Sequence, residues 1–319
     1  MRYNVKHESL QAFLNPLTLR ISVILSLFSS RKTPLATLAE KEEIDPFFLI
    51  GSGRSGTTLL RTIVNQHPEV CIPPESHGAL PNAVKQYYKG GENGWQRLVA
   101  LSLGEFLRHK NFRLWETDLQ KNISELYELQ NEKHSLTAII NYIYAEYIKK
   151  HKPGAKRWGD KTPFNTLRLK WVKKLYPKAK YIFVLRDPRA VASSFRKSEI
   201  NPSLKESALR WRASIKAFEK LEKESKNNTM LIKYEDLVIE PEVIIRKVCM
   251  FLNIDFQTIM LSERRAFSGD GTIAHHKNSQ RKINSTSLDK WRKLLSKEEI
   301  KSIEAITGLL MIKYGYHKD

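Results

Sequence analysis

Three short apolar runs alternate with longer segments whose apolar residues have helical spacing. The runs lie at 47–50 (FFLI), 179–186 (AKYIFVLR) and 229–237 (TMLIKYEDL). Short runs that are apolar on both faces are typical of strands in a parallel sheet, which is covered by helices on both sides. The pattern therefore predicts an α/β fold, a parallel sheet flanked by helices.

A helix is predicted after each strand. After the first strand, apolar residues from Leu59 to Val64 have helical spacing, and Pro68 ends the segment. A proline at the first helical position, Pro188, begins the helix after the second strand. The other predicted helices are 166–177, 203–225 and 241–254. RWGDKTP at 157–163 lies before the helix 166–177 and is assigned to no strand.

The chain divides into a leader and one large domain. The leader, 1–45, is predicted to be helical or partly disordered, and 46–319 forms the domain. A helical, aromatic excursion at about 82–150 is expected to cover one side of a pocket. The apolar run at 19–28 is shorter than the roughly 18 residues of a membrane span. Residues 10–28 are therefore either a helix docked on the core or an interfacial anchor in peripheral contact with a membrane.

The charge balance favours anionic ligands without selecting one. Lys and Arg number 54 against 34 Asp and Glu, which gives a formal net charge of +20. Nucleotides, acidic glycans, nucleic acids and anionic membranes all fit this sign. Cys71 and Cys249 are too few for a disulfide framework, and no His/Cys cluster has zinc spacing. We therefore expect a cytoplasmic protein without a bound metal.

The segment GSGRSGTT at 51–58 nearly matches the phosphate loop G-x-x-x-x-G-K-[ST]. Thr57 replaces the lysine, and Arg54 offers a planar, charged fork to an anion. Backbone amides at the start of the next helix favour the same ligand. The missing lysine and the lack of a strand-end carboxylate for magnesium argue against hydrolysis of a nucleoside triphosphate. The alternative is an ordinary helix start capped by Ser55.

A second anion site is predicted where the second strand ends. Arg186 leaves that strand at its carboxyl end, where open α/β sheets bind ligands, and Ser194 lies about two turns inside the next helix. Two anion sites at adjacent strand ends suggest a ligand with phosphate at two positions. The alternative is that Arg186 forms a structural ion pair with Asp187 or Glu235.

These blocks together resemble the PAPS-dependent sulfotransferases, where PAPS is 3′-phosphoadenosine 5′-phosphosulfate. The order is most like the branch that contains the protein-tyrosine sulfotransferases and many bacterial sulfotransferases. From about residue 46 to 316, the blocks are FLIGSGRSGTTLLRTIVNQHPEV, PPES, RWGDKTPF, YIFVLRDPRAVASSF, LIKYEDL and INSTSLDKW…YGY. The resemblance implies a P-loop NTPase-like sulfotransferase core. It also implies metal-free, in-line transfer of a sulfuryl group from PAPS to an acceptor hydroxyl.

The resemblance also assigns ligands of PAPS. Arg186 and Ser194 are implied to bind the 3′-phosphate. Tyr234 is implied to contact the nucleotide, and Asn284 and Lys290 to lie in a loop that closes over it. Without the resemblance, Tyr234 is equally a core aromatic residue and Lys290 a solvated charge. The implied ligands of the 5′-phosphosulfate are Arg54, Ser55, Gly56, Thr57 and Thr58.

One departure affects the implied 3′-phosphate site. The tyrosine-sulfating branch has an arginine where this chain has Ser198, with Arg196 and Lys197 just before it. Peptide-tyrosine specificity is therefore not implied, and the site is completed differently.

The catalytic residues implied by the resemblance are Glu75, His77 and Lys161. Glu75 is the favoured base for the acceptor proton, and His77 is its rival because other branches use histidine. Lys161 would stabilise charge on the bridging oxygen of the leaving group. The structural alternatives are a helix cap for Glu75, a surface position for His77 and an ion pair with Asp160 for Lys161. Thr162 is read as the cap of the helix after Pro163.

Two other function classes compete with a sulfotransferase. One is a phosphotransferase (kinase) on the same core, and the other is a basic module that binds glycans or nucleic acid. We favour the enzyme, with a hydroxyl-bearing acceptor and no nucleic-acid partner. The sequence does not choose among glycan, phenol, lipid or other small-molecule acceptors, and it does not set the oligomeric state.

Overall fold

The computed structural model describes residues 33–37, 46–89, 94–121, 123–198, 203–262 and 288–318. The docked helix or anchor predicted at 10–28 lies outside these residues, and so does Asn284. In the described part of the chain, no helix has the length and apolar character that crossing a membrane requires.

A parallel sheet of five strands forms the centre of the domain. The strands are β1 Phe47–Gly51, β2 Val70–Cys71, β3 Arg157–Lys161, β4 Lys180–Leu185 and β5 Thr229–Lys233. Their order is β2-β3-β1-β4-β5, and every neighbouring pair is parallel. The predicted fold class is confirmed.

Helices cover both faces of this sheet. The α-helices of the described residues are α1 Thr57–Val64, α2 Ala79–Tyr88, α3 Trp95–Leu107, α4 Ile123–Tyr127, α5 Leu136–His151, α6 Leu169–Leu175, α7 Pro188–Lys197, α8 Leu204–Glu224, α9 Tyr234–Ile239, α10 Pro241–Leu252, α11 Lys290–Leu294 and α12 Lys297–Lys313. Because side chains alternate along a strand, β1 buries Phe48 and Ile50 on one face and Phe47 and Leu49 on the other. Each face has its own apolar core.

Two strands escaped the sequence analysis. β2 has only two residues, and β3 carries the charged residues Arg157, Asp160 and Lys161. Charged side chains in a buried strand need partners, which the local pattern cannot reveal. The strand predicted over 229–237 is wrong in its second half, because β5 ends at Lys233 and α9 follows at once.

The predicted helices are present with adjusted ends. The segment 166–177 contributes the end of a 3₁₀ helix, Pro163–Arg168, and then α6. Helix α7 begins at Pro188 as predicted, with an N-cap from Asp187, whose side chain accepts from the Arg189 amide. Ser203 caps α8 in the same way.

Helices α2 to α5 form the helical excursion between β2 and β3. Its aromatic residues pack against the sheet: the Tyr144 ring stacks on that of Trp158 at 4.1 Å, and Trp115 is fully buried beside it. The short described part of the leader lies against the excursion, because the Leu136 and Thr137 amides donate to carbonyls of residues 34 and 35. The excursion therefore forms a wall over one face of β3.

The strand order decides where a ligand can bind. β1 lies between β3 and β4, so the segments that follow these three strands meet at one edge of the sheet. In open α/β sheets, a crevice forms at such an edge, where successive connections leave in opposite directions. The phosphate loop follows β1, Thr162 follows β3 and Arg186 follows β4.

Candidate functional site

The phosphate loop turns tightly between β1 and α1. Gly53, Arg54 and Gly56 have positive φ angles of 79°, 56° and 99°. Two features require glycine at position 56. Its φ is positive, and a Cβ there would lie 2.3 Å from the ring of Tyr234. The tight turn brings the loop against the ring of Tyr234, the first residue of α9.

The start of α1 has an unsatisfied hydroxyl group. The N-cap residue is Gly56 and no side chain caps the helix, so the Ser55 cap interpretation is wrong. The Ser55 hydroxyl is buried and has no hydrogen-bond partner in the described residues. Such a group costs about 1–3 kcal/mol unless a ligand satisfies it. A buried hydroxyl beside the positive end of a helix fits a phosphate or sulfate oxygen.

Arg186 lies next to the loop rather than in the suggested ion pair with Asp187. Its Nη1 donates to the carbonyl of Arg54 at 3.2 Å, and its guanidinium lies 4.2 Å from the ring centre of Tyr234. Asp187 instead pairs with Arg189 at 2.8 Å. Tyr234 is thus placed between the loop and Arg186.

The two predicted anion sites touch each other. Arg54 Nε donates to Ser194 Oγ at 3.1 Å, although the sequence analysis assigned these residues to opposite ends of the nucleotide. Burial lowers the pKa of Arg54, and the neighbouring Arg186 lowers it further. Two adjacent guanidinium groups repel each other, so a bound anion would stabilise both.

Lys161 connects the phosphate loop to the Glu75 carboxylate. Lys161 is fully buried at the end of β3, and its Nζ donates to the Glu75 carboxylate and, at 3.1 Å, to Thr58 Oγ1. The suggested pairing of Lys161 with Asp160 is wrong. The suggestion that Glu75 caps the next helix is also wrong, because Gly78 is the N-cap residue of α2 and no side chain caps that helix.

His77 faces the helical excursion. Its φ is 51°, and its Nε2 lies 3.7 Å from a Glu75 oxygen. The ring stacks on His109 with centres 4.8 Å apart and hydrogen-bonds the Asn111 side chain. His77 is therefore not an isolated surface residue, and it brings the excursion next to Glu75.

The C-terminal part of the chain packs on α7 but does not complete the site in the described residues. Lys290 is exposed at the start of α11 and forms no hydrogen bond or ion pair with any described residue. Arg196 pairs with Glu299 at 2.6 Å, so it points towards α12. The Ser198 hydroxyl donates to the Phe195 carbonyl at 2.9 Å. None of these three side chains contacts Arg186 or Ser194 within the described ranges.

Thr162 is the N-cap residue of the 3₁₀ helix Pro163–Arg168, as predicted, but its side chain makes no capping hydrogen bond. Its hydroxyl instead donates to Asp160 at 3.2 Å and accepts from the Ser76 amide at 3.1 Å. Tyr144, from the excursion, reaches the same carboxylate. No local motif marks Ser76 or Tyr144 in the sequence, since only the fold brings them to β3.

Arg210 is a further cation near the site that the sequence analysis missed. It lies on α8, half-buried, with its guanidinium 5.8 Å from the ring centre of Phe195. Burial lowers the pKa of Arg210, and the charge of Glu75 raises it. In the sequence, the segment RWR at 210–212 lies in a long amphipathic helix, where arginines are usually exposed to solvent.

Metal ligands and paired cysteines are not found in the part of the chain that the structure describes. No group of three or more His, Cys, Asp or Glu residues there could hold a metal ion. Cys71 and Cys249 are buried as free thiols, and they belong to the cores on opposite faces of the sheet.

A comparison with known families now bears on the site. The model of the sulfotransferase family matches residues 46–258, which contain the loop, Glu75, Lys161 and Arg186. The chain belongs to the sulfotransferase family. The resemblance stated from the sequence motifs is confirmed.

Relatives of this sulfotransferase include enzymes from animals and a bacterial protein. Protein-tyrosine sulfotransferase A of Caenorhabditis elegans is 24% identical over 286 residues, which are 85% of this chain and 67% of that protein. Nodulation protein NoeE of Sinorhizobium fredii is 24% identical over 301 residues, 85% of this chain and 66% of that protein. Family membership gives the reaction class, sulfuryl transfer, but no acceptor.

Solved structures support the same fold. The sulfotransferase domain of the Synechococcus PCC 7002 olefin synthase has a TM-score of 0.59 at 23% identity, over 83% of this chain and 96% of that one. The sulfotransferase domain of the curacin biosynthetic pathway also has a TM-score of 0.59, at 21% identity over 86% and 99%. The kinase and binding-module alternatives find no support in these comparisons.

Proposed function

We propose that this sulfotransferase uses PAPS as its donor and transfers the sulfuryl group to an acceptor hydroxyl without a metal ion. One observation carries the proposal. Lys161 Nζ contacts both the Glu75 carboxylate and Thr58 Oγ1 of the phosphate loop. A proton acceptor, a buried cation and an anion loop thus meet at one point, which is the set that sulfuryl transfer requires.

Two groups of residues would hold the donor. The loop from Arg54 to Thr58 would bind the 5′-phosphosulfate, since its Ser55 hydroxyl lacks a partner. Arg186 and Ser194 would bind the 3′-phosphate, with the ring of Tyr234 beside the nucleotide. Arg54 contacts Ser194 and so lies between the two sites.

The reaction needs one proton acceptor and one cation from the chain. When bound, PAPS supplies the sulfuryl group: the acceptor oxygen bonds to sulfur as the bond to the bridging oxygen breaks, and that oxygen keeps the electron pair. The Glu75 carboxylate would take the acceptor proton. Lys161 would stabilise the negative charge on the departing phosphate, which is why a metal ion is unnecessary in this proposal.

We assign the base to Glu75 rather than His77 on geometry. Glu75 touches Lys161 directly, whereas His77 is held between His109 and Asn111 of the excursion. His77 would then form part of the wall that receives the acceptor. The acceptor is a compound with a hydroxyl group.

We also propose a cytoplasmic location. The support is that Cys71 and Cys249 are free thiols in separate cores, which a reducing compartment preserves.

The donor is tested by calorimetric titration with 3′,5′-adenosine bisphosphate, the expected product, in EDTA. ATP with magnesium is titrated in parallel. We expect tight binding of the bisphosphate and an affinity about 100-fold lower in Arg186→Ala, because a charge-assisted contact to phosphate is lost. Arg246→Ala is the matched control, since Arg246 is exposed and pairs with Glu242 on α10.

Either of two results would overturn the proposal. One is that the parent protein does not bind the bisphosphate. The other is that it prefers magnesium-ATP, which would restore the phosphotransferase alternative.

A further inference from the structure

Asp160 is the centre of a buried hydrogen-bond network beside the proposed base. Its Oδ2 accepts from the Tyr144 hydroxyl at 2.7 Å, from Ser76 Oγ at 3.1 Å and from Thr162 Oγ1 at 3.2 Å. Its Oδ1 accepts from Asn165 Nδ2 at 2.9 Å. All five residues are almost completely buried. We call this set the Asp160 network.

Only neutral donors compensate the Asp160 carboxylate. In the described ranges no cation pairs with it, although the next residue is Lys161. Burial raises the pKa of Asp160, and the hydrogen bonds from Tyr144, Ser76, Thr162 and Asn165 oppose that shift. A buried carboxylate that gains no ion pair is costly, and here four neutral donors offset part of that cost.

The strand separates Asp160 from Lys161. In the pairing of β3 with β1, Asp160 lies opposite Phe48 and Lys161 opposite Leu49. Phe48 and Leu49 belong to the cores on opposite faces of the sheet. The two charged side chains therefore point to opposite faces: Lys161 towards the phosphate loop and Asp160 towards the helical excursion.

Ser76 connects this network to the base. It lies between Glu75 and His77, and it is held twice. Its side chain donates to Asp160, and its amide donates to Thr162 Oγ1 at 3.1 Å. The next residue, His77, has a left-handed backbone conformation, which persists only where its surroundings fix it. The network thus restrains the backbone that carries Glu75.

Tyr144 connects the same network to the excursion. It lies on α5, its ring stacks on Trp158, and its hydroxyl gives the shortest hydrogen bond to Asp160. Helix α5 thus belongs to the wall and also reaches the network that holds Ser76.

We propose that the Asp160 network positions Glu75, with Tyr144 of the excursion and Ser76 of the base segment as positioning residues. This rests on the proposed role of Glu75 as base. The network does not touch the substrates. It holds the Glu75 backbone so that the carboxylate stays on Lys161, and it ties that geometry to the helix that forms the acceptor wall.

The test is a double-mutant cycle with Glu75→Gln. Tyr144→Phe removes one hydroxyl and keeps the ring, and Ser76→Ala removes the other link. Turnover is measured as 3′,5′-adenosine bisphosphate released from saturating PAPS, with phenol, which is protonated at neutral pH, as probe acceptor and with water alone. Tyr87→Phe is the control, because this buried tyrosine of α2 donates its hydroxyl to the Thr33 carbonyl instead.

We expect Tyr144→Phe and Ser76→Ala each to lower kcat about tenfold, since a small misplacement of a reacting group slows turnover strongly. Calorimetric affinity for the bisphosphate should stay unchanged. In the Glu75→Gln background, neither change should reduce kcat by more than about twofold, because a lost base needs no positioning. Tyr87→Phe should keep the parental kcat.

Two results would overturn the inference. Parental kcat in both single variants would show that the network is dispensable. A tenfold loss that persists in the Glu75→Gln background would show a general structural effect. Neither result touches the donor assignment, which fails if the parent protein does not bind the bisphosphate or prefers magnesium-ATP.

Discussion

The two faces of β3 belong to different parts of the enzyme. On one face, Lys161 reaches Glu75 and the phosphate loop. On the other face, Asp160 collects hydrogen bonds from the excursion and from the base segment. Two adjacent charged residues thus have unrelated partners, because consecutive side chains of a strand point in opposite directions.

The two faces also differ in how their partners are distributed along the chain. The donor face is built on two compact strand-loop-helix motifs, 47–64 and 180–197, which contain most of the proposed ligands of PAPS. Lys161 adds a contact between distant residues, because it reaches Glu75, 86 positions away. The excursion face has no such motif, and its contact between Ser76 and Asp160 joins residues 84 positions apart. A site can therefore be half motif and half tertiary contact.

The largest expected effect is on the donor face. Glu75→Gln or Lys161→Met should lower turnover of PAPS by about 100-fold or more, because the first removes the base and the second the cation that stabilises the leaving group. Turnover is measured by release of 3′,5′-adenosine bisphosphate. In Glu75→Gln, affinity for that product should be unchanged.

Lys156→Met is the control for Lys161→Met. Lys156 is exposed just before β3 and pairs with Glu69, so its loss should leave turnover within about twofold of the parent. Parental turnover in Glu75→Gln would remove Glu75 as the base and make His77→Asn the next variant to measure.

Alanine substitutions at two glycines, one in the loop and one in the excursion, should have smaller effects. Gly56→Ala should weaken binding of the bisphosphate and lower the free energy of unfolding by about 1–3 kcal/mol, because its φ is positive and the new Cβ meets the Tyr234 ring. Gly104→Ala should raise the free energy of unfolding by about 0.5–1 kcal/mol, since Gly104 lies inside α3 with no heavy atom within 4 Å of the added Cβ. Chemical denaturation and calorimetry measure these changes.

The opposite order of stability for the two alanine variants would mean that the loop tolerates a side chain. The tight turn would then not be what confines this position to glycine.

The smallest expected effect concerns thiol reactivity in the two apolar cores. Burial raises the pKa of Cys71 and of Cys249 to about 11, so at pH 8 almost no thiolate is present and a thiol reagent should react only on unfolding. Reactivity should increase as the pH rises towards 11. Because the sheet is shared by both cores, we expect both thiols to become reactive at the same denaturant concentration.

Single variants Cys71→Ser and Cys249→Ser allow each thiol to be followed alone. If the Cys71 thiol reacted at a lower denaturant concentration than the Cys249 thiol, the excursion side would unfold separately from the other core.

Much of the donor face could be predicted from the sequence. β1, α1, β4 and α7 are set by short apolar runs, a glycine turn and a proline at a helix start, all of which act over a few residues. For the same reason, the sequence allowed the loop and Arg186 to be proposed as anion ligands. The contact between the two predicted anion sites, from Arg54 Nε to Ser194 Oγ, was not predicted, since it depends on how the loop packs against α7.

Local pattern failed where charged residues entered the sheet. β3 contains Arg157, Asp160 and Lys161, and its burial is stabilised by partners far away in the chain. The interpretation of Asp160 and Lys161 as a neighbouring ion pair followed from their adjacency, and the strand geometry made it wrong.

By itself, the sequence determined the fold class and the family, because these depend on apolar runs, turns and motifs that each lie within a short segment. Only the tertiary structure decided that Lys161 faces Glu75 and Asp160 faces Tyr144. The register of β3 against β1 assigns each side chain to a face, and a shift of one residue would exchange them. That register depends on the packing of the whole sheet, so no local segment of the chain contains it.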